Sequence, residues 1–116
     1  MTREFVRLPE FEKQCKHTGL DEEDVRAIEN ALLSEPSAGD MMQGTGGMRK
    51  FRFPLPNRGK SGGARVIYID FARHEKIYLI TTYAKSETDN LTKAERNELK
   101  ALVVILESEL RKKGQR

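Results

Sequence analysis

The fold is decided by the six residues Met48–Phe53, which read MRKFRF. After Arg49, the apolar side chains of Phe51 and Phe53 alternate with the cationic side chains of Lys50 and Arg52. Successive side chains of a β-strand point to opposite faces of the sheet, so this period of two predicts a strand. One face of that strand is expected to be buried and the other to be cationic.

The segments on both sides of this strand predict a mixed helix and sheet pattern. Two runs rich in β-branched and apolar residues follow it, separated by a short turn, and together they predict a β-hairpin. The predicted order is β-α-α-β-β-β-α: a strand over Glu4–Leu8, helices after Pro9 and Asp21, strands over Met48–Phe53, Ala64–Phe71 and Ile77–Tyr83, and a helix after the Thr92–Glu95 capping box. This order predicts an α+β fold. We expect a twisted, mainly antiparallel sheet, an N-terminal helical hairpin on one face, a C-terminal helix, and a second sheet face that can remain polar and open.

The length and composition bound the kind of protein. The chain has 116 residues, which predicts a single domain over 1–116 with one modest core. Its longest apolar run, Ala101–Leu106, is far shorter than the about 20 residues that a membrane span needs. The N-terminus carries Glu4 and no apolar segment, and the only cysteine, Cys15, has no partner for a disulfide. These features predict a cytoplasmic protein without a membrane partner.

The charge of the chain is concentrated in its middle. The net charge is only +3, but residues 41–69 hold six basic side chains and no acid. An acid-free basic segment attracts phosphates and speeds association with nucleic acids. On charge alone, a solvated basic face without a partner explains the segment equally well.

Several apparent motifs carry no chemistry. Gly59-Lys60-Ser61 resembles the end of a phosphate-binding loop, but the required first glycine is Pro54 and a strand follows instead of a helix. His17 and His74 lack cysteine or histidine partners at metal-ligand spacing, and Cys15 shares the apolar face of its helix. We therefore expect no cofactor, no metal site and no cysteine nucleophile.

A group of cations and one tyrosine remains as the candidate site. If the strands pair in sequence order, these side chains converge on the open face: Lys50, Arg52, Arg65, Tyr83 and Lys85, with Arg58 and Lys60 on the loop between. Such a group suits RNA cleavage by the RNA's own 2′-hydroxyl, which needs charge stabilisation and proton transfer but no metal or covalent residue. The alternative is that these cations hold a phosphate backbone without cutting it.

Three stretches of this chain resemble the RelE/ParE superfamily of bacterial toxins, and within it the HigB-like branch. They are Gly44–Arg52, Gly59–Tyr68 and Tyr78–Lys85. The resemblance implies an endoribonuclease, or mRNA interferase, that acts on translated mRNA at the 70S ribosome. It also implies a cognate antitoxin as a partner, which we expect to be a helix-turn-helix protein.

The resemblance also implies roles for individual residues. By motif position, Lys50, Arg52, Arg65 and Lys85 correspond to the basic catalytic residues of RelE-like toxins, while Arg49, Arg58 and Lys60 are expected to bind RNA. This chain departs from the pattern at Ser86, where a second basic residue is common, and at Thr92, where a tyrosine is common. Tyr83 is then the candidate substitute for that tyrosine.

Two other functions fit the same pattern. A ParE-like inhibitor of DNA gyrase shares this fold and acts by binding a protein, and the missing tyrosine is compatible with it. The other alternative is an RNA-binding module without catalysis.

Overall fold

A computed structural model describes residues 2–55, 63–87 and 90–114. Within them the chain forms an α+β structure, as the sequence predicts. Its elements are β1 (Glu4–Arg7), α1 (Pro9–Thr18), α2 (Glu22–Ser34), β2 (Asp40–Met41), β3 (Arg49–Phe53), β4 (Ala64–Phe71), a 3-10 turn (Ala72–His74), β5 (Lys76–Ala84) and α3 (Lys93–Gly114).

The strands form one sheet in the order β1-β5-β4-β3-β2. The predicted hairpin of β4 and β5 is confirmed, and β3 lies antiparallel against the other edge of β4. The first strand pairs with β5 in parallel, so the sheet is mixed although mainly antiparallel. β4 therefore lies at the centre of the sheet, between the strand that carries Lys50 and Arg52 and the strand that leads to Lys85.

The N-terminal helical hairpin covers one face of the sheet. Gly19 ends α1 in the left-handed conformation (φ 88°), and the Asp21 side chain accepts the backbone N–H of Asp24 to begin α2. Apolar side chains of both helices are buried with alternate residues of β4 and β5. This first core contains Phe11, Cys15, Val25, Ile28, Leu32, Val66, Tyr68, Ile77 and Leu79.

The C-terminal helix covers part of the opposite face, so the expectation of an open second face is wrong there. Val103 and Leu110 of α3 pack with Ile67, Ile69 and Ile80 in a second core. The residues of β4 are buried almost throughout, on both faces of the sheet, which is typical of a strand between two helical layers. The predicted helix start is confirmed, because Thr92 Oγ1 accepts the backbone N–H of Glu95 and Glu95 accepts that of Thr92.

No helix in the described ranges is both long and apolar enough to cross a membrane.

Candidate active site

Two arginines face each other across neighbouring strands. In the register of β3 and β4, Arg52 is directly opposite Arg65, and Lys50 is two residues along β3 on the same face. Residues opposite each other in an antiparallel pair have Cβ atoms about 5 Å apart, and like charges in such a pair repel. A bound anion between them would offset this repulsion.

The third cation is brought to this place by a backbone hydrogen bond. The Lys85 N–H donates to the Gly63 carbonyl at 3.0 Å, which holds the residue after β5 beside the start of β4. Gly63 has φ 72°, and a Cβ there would lie 2.5 Å from the Phe53 carbonyl oxygen. A side chain at this position would be strained and would clash with backbone, so glycine allows the ends of β3, β4 and β5 to meet.

These cations line one open cavity of about 400 Å³. Its lining consists of Ala38, Asp40, Lys50, Phe51, Arg52, Arg65 and Lys85. Four of the five predicted catalytic residues are thus brought together. Cationic side chains around one space attract anions, and a guanidinium can contact two oxygens of a phosphate.

Arg65 is the most enclosed of these cations. Only 5% of its surface is exposed, whereas Arg52 and Lys85 are exposed. Thr82 Oγ1 donates to the Arg65 carbonyl at 2.7 Å, in addition to the strand pairing on both sides. The guanidinium therefore extends from a rigid central strand, which limits its movement relative to a bound phosphate.

Tyr83 lies next to Arg65 but in a different environment. It is directly opposite Arg65 in the pairing of β4 and β5, so both side chains are on the same sheet face. Tyr83 is half-buried and packs with the second core, lining a groove with Leu91 and Leu99 instead of the cationic cavity. Tyr83 is not among the described residues that line the cationic cavity, and its assignment as a catalytic residue stays a prediction.

Of the three predicted RNA-binding residues, Arg49 is the one that the structure describes, and it does not line the cavity. Arg49 is on the opposite face of β3 from Lys50, and its Nη1 donates to the Gly39 carbonyl at 2.8 Å. It ties the chain before β2 to the sheet and lines a separate cavity with Arg3 and Asp70. Arg58 and Lys60 lie outside the described residues.

Asp40 is a cavity residue that the sequence analysis missed. It belongs to β2, a strand of only two residues, and is directly opposite Lys50 in the register with β3. Two residues are too few to show a period, so no sequence pattern marks this strand. The acid is also one position outside the acid-free basic segment, 41–69.

A buried tyrosine positions the chain immediately before Asp40. The Gly39 N–H donates to Tyr68 Oη at 3.0 Å, and the Tyr68 hydroxyl donates to the Pro36 carbonyl at 2.7 Å. Burial raises the pKa of Tyr68, which favours the neutral hydroxyl that can donate. A Cβ at Gly39 would lie 2.9 Å from the Lys50 carbonyl oxygen, so the chain passes close to β3 here.

The cysteine and one histidine are not among the residues that line the cavity. Cys15 is buried in the first core, and burial raises the pKa of its thiol to about 11, which suits a core thiol. His17 Nε2 is 2.8 Å from a carboxylate oxygen of Glu87, and both side chains are exposed. Within the described ranges, no three His, Cys, Asp or Glu side chains form a group that could hold a metal ion.

Comparison with known proteins identifies the family. Residues 5–113 match the family described as the RelE toxin of the RelE/RelB toxin–antitoxin system. A double mutant of the E. coli toxin RelE in the free state has a similar fold, with a TM-score of 0.54 and 13% sequence identity over 76% of this chain and 88% of that chain. The family match spans nearly all of the sequence and agrees with the sheet and helices described above. The chain therefore belongs to the RelE toxin family of toxin–antitoxin systems, which implies an antitoxin as its partner.

Proposed function

We propose that this toxin is an mRNA endoribonuclease that acts in the cytoplasm on mRNA in the 70S ribosome. The 2′-hydroxyl of the RNA is the nucleophile, so the protein supplies charge stabilisation and proton transfer. We further place the chain in the HigB-like branch, on the stretches Gly44–Arg52, Gly59–Tyr68 and Tyr78–Lys85.

One observation carries the proposal: Lys50, Arg52, Arg65 and Lys85 line a single open cavity. When the 2′-oxygen attacks phosphorus, negative charge builds up on the phosphoryl oxygens. Cations already held at that position stabilise this charge without reorganisation.

Arg65 is the residue that we assign to the scissile phosphate. Its guanidinium is on the central strand and nearly buried, where water competes little for its donors. A guanidinium also presents paired N–H groups that match two phosphate oxygens. Arg52 is directly opposite Arg65, which supports its assignment to the same phosphate or to a neighbouring one.

The test is mRNA cleavage by Arg65→Ala on ribosomes with bound message. Removal of a donor that contacts the transition state typically costs about 10²–10³-fold in rate, and we expect a loss of that size. Arg73→Ala is the matched control, because Arg73 is exposed and follows the opposite end of β4. Arg65 is buried, so a thermal melt must show that the variant folds. Arg52→Ala removes an exposed cation of the same cavity and provides a second variant without loss of packing.

The results separate this proposal from its alternatives. Cleavage by folded Arg65→Ala and Arg52→Ala at the rate of the unsubstituted protein would remove these residues from the mechanism. Toxicity without mRNA cleavage by any form of the protein would instead favour the ParE-like inhibitor of DNA gyrase. Binding of mRNA without toxicity or cleavage would favour the RNA-binding module.

A further inference from the structure

The cationic cavity contains one acid. Asp40 lines it together with Lys50, Arg52, Arg65 and Lys85, and it is the only carboxylate among the described residues of the lining. It is also exposed at the surface of the cavity. A carboxylate beside a phosphate site weakens phosphate binding by like-charge repulsion, so its presence there needs a chemical reason.

Cleavage by a 2′-hydroxyl needs a group that accepts a proton. Guanidinium and ammonium groups carry donors and no acceptor, whereas an ionised carboxylate accepts only. Ordinary carboxyl groups are ionised at neutral pH, and lysine and arginine side chains ordinarily remain protonated. We propose that Asp40 is the general base that takes the proton of the 2′-hydroxyl, an inference that rests on the proposed ribonuclease function.

The strand order puts Asp40 and Lys85 on opposite sides of the two arginines. Asp40 comes from β2 at one edge of the sheet, and Lys85 follows β5 on the other side of β4. Arg52 and Arg65 come from the two strands between them. An in-line displacement requires the attacking and leaving oxygens on opposite sides of phosphorus, and a phosphate bound between the two arginines would have Asp40 on one side and Lys85 on the other.

The reaction is then balanced in protons and bonds. Asp40 takes the 2′-hydroxyl proton as the 2′-oxygen forms its bond to phosphorus. The bond from phosphorus to the 5′-oxygen breaks, its electron pair stays on that oxygen, and the Lys85 ammonium donates a proton to it. The products are a 2′,3′-cyclic phosphate and a 5′-hydroxyl, and the two side chains recover their states by exchange with water.

Two hydrogen bonds hold the backbone immediately before Asp40. Gly39 is buried, its N–H donates to Tyr68 Oη and its carbonyl accepts from Arg49, so both peptide groups that flank Gly39 are hydrogen-bonded. A catalytic base must stay within hydrogen-bond reach of its proton, and attachment to the sheet limits its drift. The charged groups around Asp40 are Lys50 and Arg52 from β3, Arg65 from β4, Lys85 after β5 and Arg96 from α3.

The experiment compares cleavage with binding in Asp40→Asn. Asparagine keeps the size of the side chain but accepts a proton poorly, so we expect the single-turnover cleavage rate on programmed ribosomes to fall about 10²–10⁴-fold. Binding to ribosomes whose mRNA carries a 2′-deoxy nucleotide at the scissile position should be unchanged or tighter, because a negative charge is removed. Asp40→Glu should cleave faster than Asp40→Asn. Glu109→Gln, an exposed acid on α3 away from the cavity, is the control and should behave as the unsubstituted protein.

Each outcome decides the matter. Slow cleavage by Asp40→Asn with intact binding and an intact thermal melt supports the base assignment. Cleavage at the unsubstituted rate by Asp40→Asn overturns it and leaves the ribonuclease function standing. Weakened binding in place of slowed chemistry also overturns it, because Asp40 would then position the substrate. Absence of mRNA cleavage by the unsubstituted protein would remove the function and the base together.

Discussion

Tyr68→Phe tests how the strand that carries Asp40 is held on the sheet. The Tyr68 ring is fully buried in the first core, and its hydroxyl connects the Gly39 N–H to the Pro36 carbonyl. Phenylalanine keeps the ring and its packing and removes only the hydroxyl. The substitution therefore isolates two hydrogen bonds that span about thirty residues of sequence.

The magnitude follows from what the two partners lose. Gly39 is buried, so its N–H is left without its acceptor, and a buried unsatisfied group costs about 1–3 kcal/mol. Pro36 is only half-buried, so water can replace the donor to its carbonyl at little cost. We expect the free energy of unfolding to fall by about 1–3 kcal/mol in total. Each 1 kcal/mol corresponds to a Tm decrease of about 4 °C in a chain of this length.

The assay is urea unfolding followed by circular dichroism, with Tyr78→Phe as the matched control. Tyr78 is also buried, its ring contacts Phe71 edge-on at 5.5 Å, and among the described residues its hydroxyl has no hydrogen-bond partner. Tyr78→Phe should therefore lose clearly less stability than Tyr68→Phe. Equal losses for the two variants would refute the argument that Tyr68 holds the chain before β2. Under the proposed function, Tyr68→Phe should also slow mRNA cleavage, because Asp40 directly follows Gly39.

Two further predictions concern groups outside the cavity. Burial raises the pKa of the Cys15 thiol to about 11, which lowers its thiolate fraction at pH 8. A thiolate of higher pKa is more nucleophilic, so we expect alkylation of the folded protein to be at least about tenfold slower than of the urea-unfolded chain. Similar rates would show that the thiol is accessible. Arg7 donates to Glu22 at 2.8 Å and lowers the pKa of that carboxyl. The ion pair therefore stabilises the fold at pH values above the unfolded pKa of Glu22, which is near 4.5. This stabilisation is lost as pH falls through the lower pKa of the folded state. The free energy of unfolding of Glu22→Gln, measured by urea melts, should accordingly differ most from that of the unsubstituted protein near neutral pH. A difference that persists at pH 2 would show that it does not come from the ion pair with Arg7.

The sequence alone determined the elements whose signals are local. The alternation from Lys50 to Phe53 predicted β3 and the face that carries its cations, because side-chain direction in a strand follows from position alone. Asp21 and Thr92 predicted the starts of α2 and α3, since a helix cap is satisfied within one turn. The order of these elements was sufficient to predict an α+β fold.

The tertiary structure alone decided which residues share a cavity. β2 has two residues and exists because it pairs with β3, so nothing in the local sequence marks Asp40 as a neighbour of Lys50. The strand pattern gives only the sheet face that Tyr83 shares with Arg65, and the packing of α3 on that face brings Tyr83 against the second core. Both results depend on contacts between segments far apart in the chain, and a periodic pattern within one segment carries no information about which distant segment packs against it.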